Sequence, residues 1–280
     1  MKILRTVPDL SRFGREQRAR GMSIGLVPTM GALHEGHASL VRAARAECGR
    51  VVVTIFVNPT QFGPNEDFAR YPRSFDADCA LAEREGADVV FAPTVEEIYP
   101  EGASTFVEVE GLSSRLDGQS RPGHFRGVAT VVTKLMIAAE ADKAYFGQKD
   151  AAQVAVLRRM VRDLRIGTEI MVCPIVREPD GLALSSRNAY LSTEERRQAL
   201  VLSRVVRAIE ELTARGERRA VALMEAAQKI FAAEPAVRVD YIELVDWATL
   251  EPVEMAAPGS LFAVAAWVGN TRLIDNAVLR

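Results

Sequence analysis

The sequence predicts an α/β protein in which a parallel sheet comes first and a smaller α+β region follows. In the first half of the chain, short strand-like runs alternate with amphipathic segments, an order typical of parallel sheets with right-handed helical crossovers. In the second half, two long helix-like segments precede three strand-like ones. We therefore expect a domain boundary near Ile175, which divides the chain into residues 1–175 and 176–280.

Four strands are predicted in the first half, at residues 23–29, 51–57, 88–92 and 143–146. The second of them is a continuous apolar run rich in β-branched residues, as expected for a strand that is buried on both faces. Apolar residues recur at helical spacing between the strands, at Leu40, Val41, Ala44 and Cys48 and again at Val154, Leu157 and Val161. Ligands bind beyond the carboxyl ends of the strands in such sheets, so the loops that follow the strands are candidate sites.

The second half predicts helices at 193–215 and 218–233 and strands at 237–245, 261–268 and 272–278. Before it, residues 112–127 hold four glycine or proline residues and four charges with little periodicity. We interpret this segment as a mobile surface loop. It contains His124 among basic residues, which could close over phosphates as a lid or could simply be solvated.

Composition and charge exclude several classes of protein. The 280 residues are 48% hydrophobic and 26% charged, which is ordinary for a soluble globular chain. The net charge of −2 gives no overall field for nucleic acid or an acidic membrane. Three widely spaced cysteines, Cys48, Cys79 and Cys173, fit reduced thiols better than a disulfide framework. Short apolar runs and a start without a signal-peptide pattern make a cytoplasmic location the expectation.

The segment 30–37 contains two histidines, His34 and His37, directly after the first predicted sheet strand and at the start of a helix. The N–H groups and dipole of a helix N-terminus favour an anion, and the histidines add donors on the same side. Gly36 leaves room for a ligand to approach the backbone. Two capping histidines or half of a zinc site are the alternatives, but no further ligand lies at zinc spacing. Nucleotide binding is the hypothesis that this context favours.

Three further segments carry candidate site residues. Gln61, in 58–63, follows the strongest strand and could exchange hydrogen bonds with a ligand, although a turn formed by Asn-Pro explains the segment equally well. Lys149, in 147–153, lies between a strand and a helix, where it could reach a phosphate. Asp150 could cap that helix or orient the lysine, and a capped helix with an exposed lysine is the alternative.

The last segment, 182–188, has paired hydroxyls followed by an arginine. Ser185 and Ser186 can supply hydrogen bonds, and Arg187 supplies a planar charged fork that suits a polyphosphate. A polar loop at a domain junction is the alternative interpretation.

Together these segments resemble the pantothenate synthetase family, also called pantoate–β-alanine ligases, within the HIGH-type nucleotidyltransferase superfamily. The resemblance covers essentially the whole chain and consists of PTMGALHEGH at 28–37, FVNPTQF at 56–62, YPR at 71–73, GQKDAAQ at 147–153 and LSSRN at 184–188. One departure stands out, because the family's usual methionine before Ser-Ser-Arg is Leu184 here.

The resemblance implies a Rossmann-like domain at 1–175 that binds ATP and pantoate, and a smaller domain at 176–280 that covers the active-site cleft. It further implies a cytoplasmic homodimer of pantothenate biosynthesis, in the coenzyme A pathway, with ATP as a substrate and Mg²⁺ carried on its phosphates. No nucleic acid or membrane partner is expected.

By the same resemblance, the ATP site is lined by Met30, Gly31, Ala32, Leu33, His34, Glu35, Gly36, His37, Gly147, Gln148, Lys149, Asp150, Val176, Leu184, Ser185, Ser186 and Arg187. Gln61 and Gln153 would hold pantoate, and Gln61 would also contact β-alanine. Within the ATP site, His37 would donate to the α-phosphate region beside His34, and Lys149 would neutralise phosphate charge. The Ser-Ser-Arg segment would hold the departing pyrophosphate, and Val176 would contact the nucleoside through its backbone.

The implied reaction is an ATP-dependent ligation through pantoyl adenylate, without a side-chain nucleophile. Two alternatives stay open at this point. A different small-molecule nucleotidyltransferase would keep the nucleotide segments but give Gln61 and Gln153 no shared role. A nucleotide-sensing regulatory protein would bind ATP without turnover.

Overall fold

The structure, a computed structural model, describes residues 1–64 and 66–280. The chain forms two compact units, residues 1–147 with 156–174 and residues 148–155 with 175–280. Residues 148–155 thus belong with the second unit although they precede the boundary expected near Ile175. That the second domain covers a cleft in the first stays a prediction.

The first unit is built on a six-stranded sheet in which every pair of neighbouring strands is parallel. Its strands are β1 (Lys2–Leu4), β2 (Ile24–Thr29), β3 (Arg50–Ile55), β4 (Val89–Phe91), β5 (Lys143–Gly147) and β6 (Glu169–Cys173), in the order β1-β4-β3-β2-β5-β6. The four strands predicted from the sequence are confirmed, and so is the parallel α/β class. The prediction missed β1 and β6, which lie at the two sheet edges, where a short or half-exposed strand carries a weak apolar pattern.

Helices connect these strands and cover the sheet. They are α1 (Val7–Ala19), α2 (Glu35–Glu47), α3 (Phe75–Arg84), α4 (Val95–Ile98), α5 (Asp117–Ser120), α6 (His124–Ala139) and α7 (Ala151–Asp163). The apolar face of α2 carries Leu40, Val41 and Ala44, which belong to one buried cluster with Val51 and Val53 of β3. Each fully buried aliphatic side chain of this kind contributes about 1.5–3 kcal/mol, so this packing fixes the start of α2 beside the sheet.

Residues 112–127, predicted as a mobile surface loop, contain regular structure instead, and their mobility stays a prediction. The segment holds a 3-10 helix at Leu112–Ser114, then α5, and then the first turn of α6. Leu112, Leu116 and Phe125 are buried, and these apolar residues order the segment despite its glycines. The expectation that it acts as a lid stays a prediction.

The second unit holds α8 (Thr193–Ala214) and α9 (Ala220–Ala232), followed by an antiparallel sheet of β7 (Val237–Asp246), β8 (Ser260–Val268) and β9 (Thr271–Val278) in that order. The predicted helices and strands are confirmed to within a few residues. One buried apolar cluster joins them and includes Leu202, Ile209 and Phe262. Ser192 begins α8 with a capping box to Glu195, which stabilises the first turn.

Side-chain hydrogen bonds hold residues 148–155 in the second unit. Asn276 of β9 donates from Nδ2 to the carbonyl oxygens of Gln148 and Lys149, at 3.0 and 2.9 Å. Trp247 donates from its indole N–H to the carbonyl of Ala151 at 2.9 Å. These partners lie about a hundred or more residues away along the chain, which is why sequence periodicity did not place the segment. In the part of the chain that the structure describes, no helix is long and apolar enough to cross a membrane.

Candidate active site

The turn between β2 and α2 carries the two histidines, and its backbone is unusual. Gly31 and Ala32 have φ angles of +85° and +51°, a left-handed region that glycine enters freely and alanine rarely. The chain therefore reverses sharply at the carboxyl end of the sheet before α2 begins at Glu35. This confirms the expectation that the segment 30–37 links a sheet strand to a helix N-terminus.

A buried carboxylate holds this turn in place. Asp78 of α3 is 2% exposed and accepts hydrogen bonds from the N–H groups of Ala32 and Leu33, at 2.9 and 2.8 Å. A Cβ on Gly31 would lie 2.9 Å from an oxygen of Asp78, so the glycine is needed for this close approach. Sequence reasoning missed Asp78, because its partners lie more than forty residues away and no local spacing marks it.

His34 and His37 cap α2 reciprocally. His34 is the N-cap residue, and its Nδ1 accepts the N–H of Gly36 at 3.1 Å. His37 reaches back with its own Nδ1 to accept the N–H of His34 at 3.3 Å. The two rings lie 4.2 Å apart between centroids. Both imidazoles are therefore fixed by the helix that they begin.

This capping geometry decides which ring nitrogen carries the proton. A backbone N–H can only donate, so Nδ1 of each ring must be the unprotonated acceptor. In the neutral ring the proton then lies on Nε2, and both histidines present an Nε2–H donor. Donors at a helix N-terminus suit the oxygens of a phosphate, which supports the predicted nucleotide site.

Gln61 lies at the end of a short 3-10 helix, Pro59–Gln61, and is 9% exposed. Its Oε1 accepts from Nδ2 of Asn58 at 3.0 Å, and its Nε2 donates to the sulfur of Met30 at 3.2 Å. Asn58 also begins the 3-10 helix, so the Asn-Pro turn and an oriented glutamine are both present. The structure thereby brings together two predicted site residues, Met30 and Gln61.

His124 and Arg121 of the 112–127 segment form a polar cluster with Glu66 beside the backbone of Gln61. His124 lies within hydrogen-bond distance of the Gln61 carbonyl through Nδ1, at 2.8 Å, and of Nη1 of Arg121 through Nε2, at 3.0 Å. Arg121 makes a bidentate pair with Glu66, at 2.7 and 2.6 Å. Burial and the neighbouring charge of Arg121 lower the pKa of His124 from 6.5 to about 4. Burial works to raise the pKa of Glu66, but its hydrogen bonds and ion pair with Arg121 leave that pKa below its usual value.

The neutral His124 makes stability depend on pH. The folded protein keeps the ring neutral down to about pH 4, whereas the unfolded chain protonates it near 6.5, so acid favours unfolding. The contribution of the neutral His124 to the free energy of unfolding is complete above pH 6.5. It falls by at most about 3 kcal/mol between pH 6.5 and 4. We expect urea melts of His124→Asn to lose less stability over this window than the unmodified protein does. Equal losses in the two proteins would contradict the assignment.

In the second unit, the segment Gln148–Asp150 is a 3-10 turn that runs into α7, as the strand-to-helix prediction requires. Besides the two carbonyl contacts of Asn276, the Oδ1 of that residue accepts from Nε2 of Gln148 at 3.2 Å. Lys149 is 22% exposed, and its Nζ lies 3.9 Å from Oδ1 of Asp150. The hydrogen bonds from Asn276 thus fix the backbone at Lys149, whereas the contact between the side chains of Lys149 and Asp150 is long. Gln153 follows on α7 and is half-buried.

The Ser-Ser-Arg segment is also ordered by local contacts. Leu184 donates its N–H to the carbonyl of Val176 at 2.9 Å, so these two predicted nucleotide residues are neighbours. Ser185 begins a 3-10 helix, Ser186–Tyr190, and its hydroxyl accepts the N–H of Arg187 at 3.3 Å. Asn188 donates to Glu178 and to the carbonyl of Ala183, at 2.7 and 3.1 Å, and ties the segment down from behind.

Two further predicted site residues are Glu35 and Gly147. Glu35 forms a surface ion pair with Arg42. Gly147 ends β5 opposite Cys173 of β6. Among residues 1–64 and 66–280, no group of three or more His, Cys, Asp and Glu side chains is placed to hold a metal ion. The first unit offers the imidazoles of His34 and His37 and the amide of Gln61, and the second unit offers Lys149 and Arg187; these are groups suited to binding and stabilising phosphate charge.

Comparison with known proteins agrees with this chemistry. The family model for pantoate-β-alanine ligase matches residues 2–278. A protein of Acidobacterium capsulatum named pantothenate synthetase is 68% identical over 273 residues, which cover 96% of this chain and 91% of that protein. A second, from Koribacter versatilis and with the same name, is 59% identical over 280 residues, 100% of this chain and 96% of its own length.

A solved structure gives the same result for the fold. The crystal structure of pantothenate synthetase from Thermus thermophilus superposes with a TM-score of 0.94 at 46% identity and covers 99% of both chains. A pantoate–β-alanine ligase from Francisella tularensis, complexed with β,γ ATP and β-alanine, has a TM-score of 0.77 at 35% identity and covers 99% of this chain and 97% of its own. On the sequence match across residues 2–278 and these likenesses, the chain belongs to the pantoate–β-alanine ligase family.

Proposed function

We propose that this protein condenses pantoate with β-alanine, with consumption of ATP, and releases pantothenate, AMP and pyrophosphate. The observation that carries the proposal is the capped His34–His37 turn, which holds two imidazoles as Nε2–H donors at a helix N-terminus, in a chain of this family. The relative from Francisella tularensis, complexed with β,γ ATP and β-alanine, supports both substrates.

The reaction proceeds in two displacements. The carboxylate of pantoate attacks the α-phosphorus of ATP and expels pyrophosphate, which leaves a mixed anhydride. The amine of β-alanine then attacks the acyl carbon and expels AMP. Neither step requires a covalent bond to the protein, so catalysis consists of positioning the reactants and stabilising charge.

We assign the phosphate contacts to His37, His34 and Lys149. An Nε2–H of His37 would donate to the α-phosphate region with His34 beside it, and Lys149 would neutralise the charge that grows as pyrophosphate leaves. The departing pyrophosphate would be held by Ser185, Ser186 and Arg187. The arginine fork and the serine hydroxyls match phosphate oxygens.

The other nucleotide contacts are backbone or packing contacts. The proposed ATP site includes Met30, Gly31, Ala32, Leu33, Glu35, Gly36, Gly147, Gln148, Asp150, Val176 and Leu184. Mg²⁺ would accompany the phosphates, since that ion keeps several waters and commonly binds through one or two carboxylates plus substrate phosphates.

Pantoate would be held by the amides of Gln61 and Gln153, and β-alanine would also contact Gln61. An amide nitrogen carries two donors, and Nε2 of Gln61 gives one to the sulfur of Met30, which is a weak acceptor. The second donor is available for a pantoate oxygen.

We also propose that the protein is cytoplasmic and forms a homodimer. Sedimentation equilibrium tests the homodimer against a monomer of 30.7 kDa.

A three-substrate assay with each component omitted in turn tests the proposed function. We expect pyrophosphate to form with ATP and pantoate alone, in an amount close to the enzyme concentration, and turnover to need β-alanine as well. Release of AMP without pantothenate, or no pyrophosphate with all three present, would overturn the proposal. Replacing pantoate by another small hydroxy acid is the matched control and should abolish the burst.

Two substitutions in the Ser-Ser-Arg segment should differ clearly. Leu184→Met exchanges side chains of similar volume and keeps the N–H bond to Val176, so its cost should be below about 1.5 kcal/mol. The Michaelis constant for ATP should then change by less than about tenfold. Arg187→Lys keeps the charge but loses the bidentate fork, and should lose more catalytic efficiency. Steady-state kinetics on both variants checks this order, and the reverse order would refute the packing role of Leu184.

A further inference from the structure

The third histidine of the chain, His124, has no role in the proposed reaction, yet it contacts a residue that does. Its Nδ1 lies 2.8 Å from the carbonyl oxygen of Gln61, the residue proposed to bind pantoate. Its Nε2 lies 3.0 Å from Nη1 of Arg121. His124 lies at the first position of α6, and the ring points back toward the turn that carries Gln61.

The two neighbours fix the proton on His124. A carbonyl oxygen can only accept and a guanidinium can only donate, so Nδ1 must carry the hydrogen and Nε2 must accept. The ring can satisfy both contacts only in its neutral form, which agrees with the lowered pKa of His124. The charged groups around the ring are Arg121, Glu66 and Asp117. The ring is therefore a rigid link from Arg121 to the backbone of Gln61.

Arg121 is itself held, so the link has a fixed far end. Its guanidinium pairs with Glu66 through two hydrogen bonds of 2.7 and 2.6 Å. The two side chains are 18% and 25% exposed, which makes the pair stiffer than an ion pair on the open surface. Nη2 of Arg121 also approaches the Gln61 carbonyl, at 3.4 Å.

Close packing leaves Gln61 little freedom to adjust. A Cβ added to Gly127, in the first turn of α6, would lie 2.4 Å from the carbonyl oxygen of Thr60 and 2.7 Å from Cα of Gln61. Asn58 donates from Nδ2 both to the carbonyl of Gly127, at 3.2 Å, and to the side chain of Gln61. The first turn of α6 and the 3-10 turn therefore touch backbone to backbone, and His124 connects them at the same point.

We propose that His124 is a positioning residue for pantoate: its Nδ1–H holds the backbone of Gln61 so that the Gln61 amide meets the substrate. The inference rests on the proposed role of Gln61. His124 acts through Gln61 and makes no contact of its own with a substrate. Its effect should therefore fall on pantoate and leave ATP binding nearly unchanged.

Two amide substitutions separate the functions of the ring nitrogens. In His124→Asn, the amide nitrogen is bonded to Cγ, as Nδ1 is in histidine, so it can still donate to the Gln61 carbonyl. His124→Gln places its amide one carbon further out, where it can meet Arg121 but no longer Gln61. We expect His124→Gln to raise the Michaelis constant for pantoate about tenfold, the scale of one lost hydrogen bond, with that for ATP within about twofold. His124→Asn should restore the pantoate constant to within about threefold.

A double-mutant cycle with Gln61→Ala makes the test decisive. If His124 acts through Gln61, adding His124→Gln to Gln61→Ala should raise the pantoate constant no further. Fully additive effects would overturn the inference, as would equal changes for pantoate and ATP or a failure of His124→Asn to restore binding. A Gln61→Ala variant with a normal pantoate constant would instead refute the role proposed for Gln61.

Glu66→Gln provides a second route if His124→Gln folds poorly. It removes the charge that holds Arg121 while leaving His124 and Gln61 in place, and melting temperatures report whether each variant is folded. We expect a rise in the pantoate constant in the same direction but smaller, with the ATP constant unchanged. No change for pantoate in a folded Glu66→Gln protein would contradict the link through Arg121.

Discussion

Replacing Lys149 by alanine should slow formation of the adenylate by about 10²–10³-fold, the scale for one preorganised charge-stabilising donor. Asn276 donates hydrogen bonds to the carbonyl oxygens of Gln148 and Lys149, so the side chain of Lys149 extends from a fixed backbone. Negative charge grows on the phosphates as pyrophosphate departs, and a lysine that is fixed in advance stabilises that charge without reorganisation. Pantoate-dependent exchange of labelled pyrophosphate into ATP measures this half-reaction directly.

Lys143 provides a matched control. It begins β5, a short distance before Lys149 in the chain, and its Nζ forms a surface ion pair with Glu47 at 2.6 Å. Lys143→Ala should leave the exchange rate within about twofold, since exposed pairs contribute little. Lys149→Arg keeps the charge and should recover part of the rate. If Lys149→Ala exchanges pyrophosphate at a near-normal rate, the assignment of this lysine to the phosphates is wrong.

The substitution His37→Asn should lose about 10²–10³-fold in adenylation while leaving the fold intact. In the structure, Nδ1 of His37 accepts the N–H of His34 and completes the cap of α2. The Oδ1 of asparagine is bonded to Cγ, as Nδ1 is in histidine, so it can accept the same N–H of His34 and keep the cap. The Nε2–H donor, however, has no counterpart in asparagine.

His37→Ala removes both the cap and the donor and so separates the two roles. It should lose the same rate as His37→Asn and, in addition, about 1 kcal/mol of stability, the usual value of a helix cap. Burst formation of pyrophosphate in a rapid-quench experiment gives the rate, and thermal melts give the stability. A normal burst from His37→Asn would show that the histidine acts only by capping α2.

The sequence was sufficient for those features that repeat locally or form contiguous segments. The buried run that became β3 and the helical spacing of Leu40, Val41 and Ala44 were visible as periodicities, because burial imposes them residue by residue. The turn between β2 and α2 was visible because His34, Gly36 and His37 lie close together in the chain. Such features require no knowledge of distant partners.

The residues that hold the site were not visible, because their partners are remote. Asp78 acts on Ala32 and Leu33, and Asn276 acts on a turn almost 130 residues earlier. Neither residue has a distinctive neighbour in the sequence. The segment 112–127 was misjudged for a related reason. Its glycines suggested a loop, whereas the burial of Leu116 and Phe125 under the rest of the first unit decided its structure.

The fate of the pantoate oxygens tests the central claim, an acyl-adenylate intermediate, most directly. With ¹⁸O in both positions of the pantoate carboxylate, attack on the α-phosphorus makes one of these oxygens the bridge between acyl group and phosphorus. Attack by β-alanine then breaks the acyl–oxygen bond, so that oxygen leaves with AMP. Mass spectrometry of the products should find one ¹⁸O in each AMP and the other in pantothenate. Label in pyrophosphate or inorganic phosphate, with unlabelled AMP, would contradict the account.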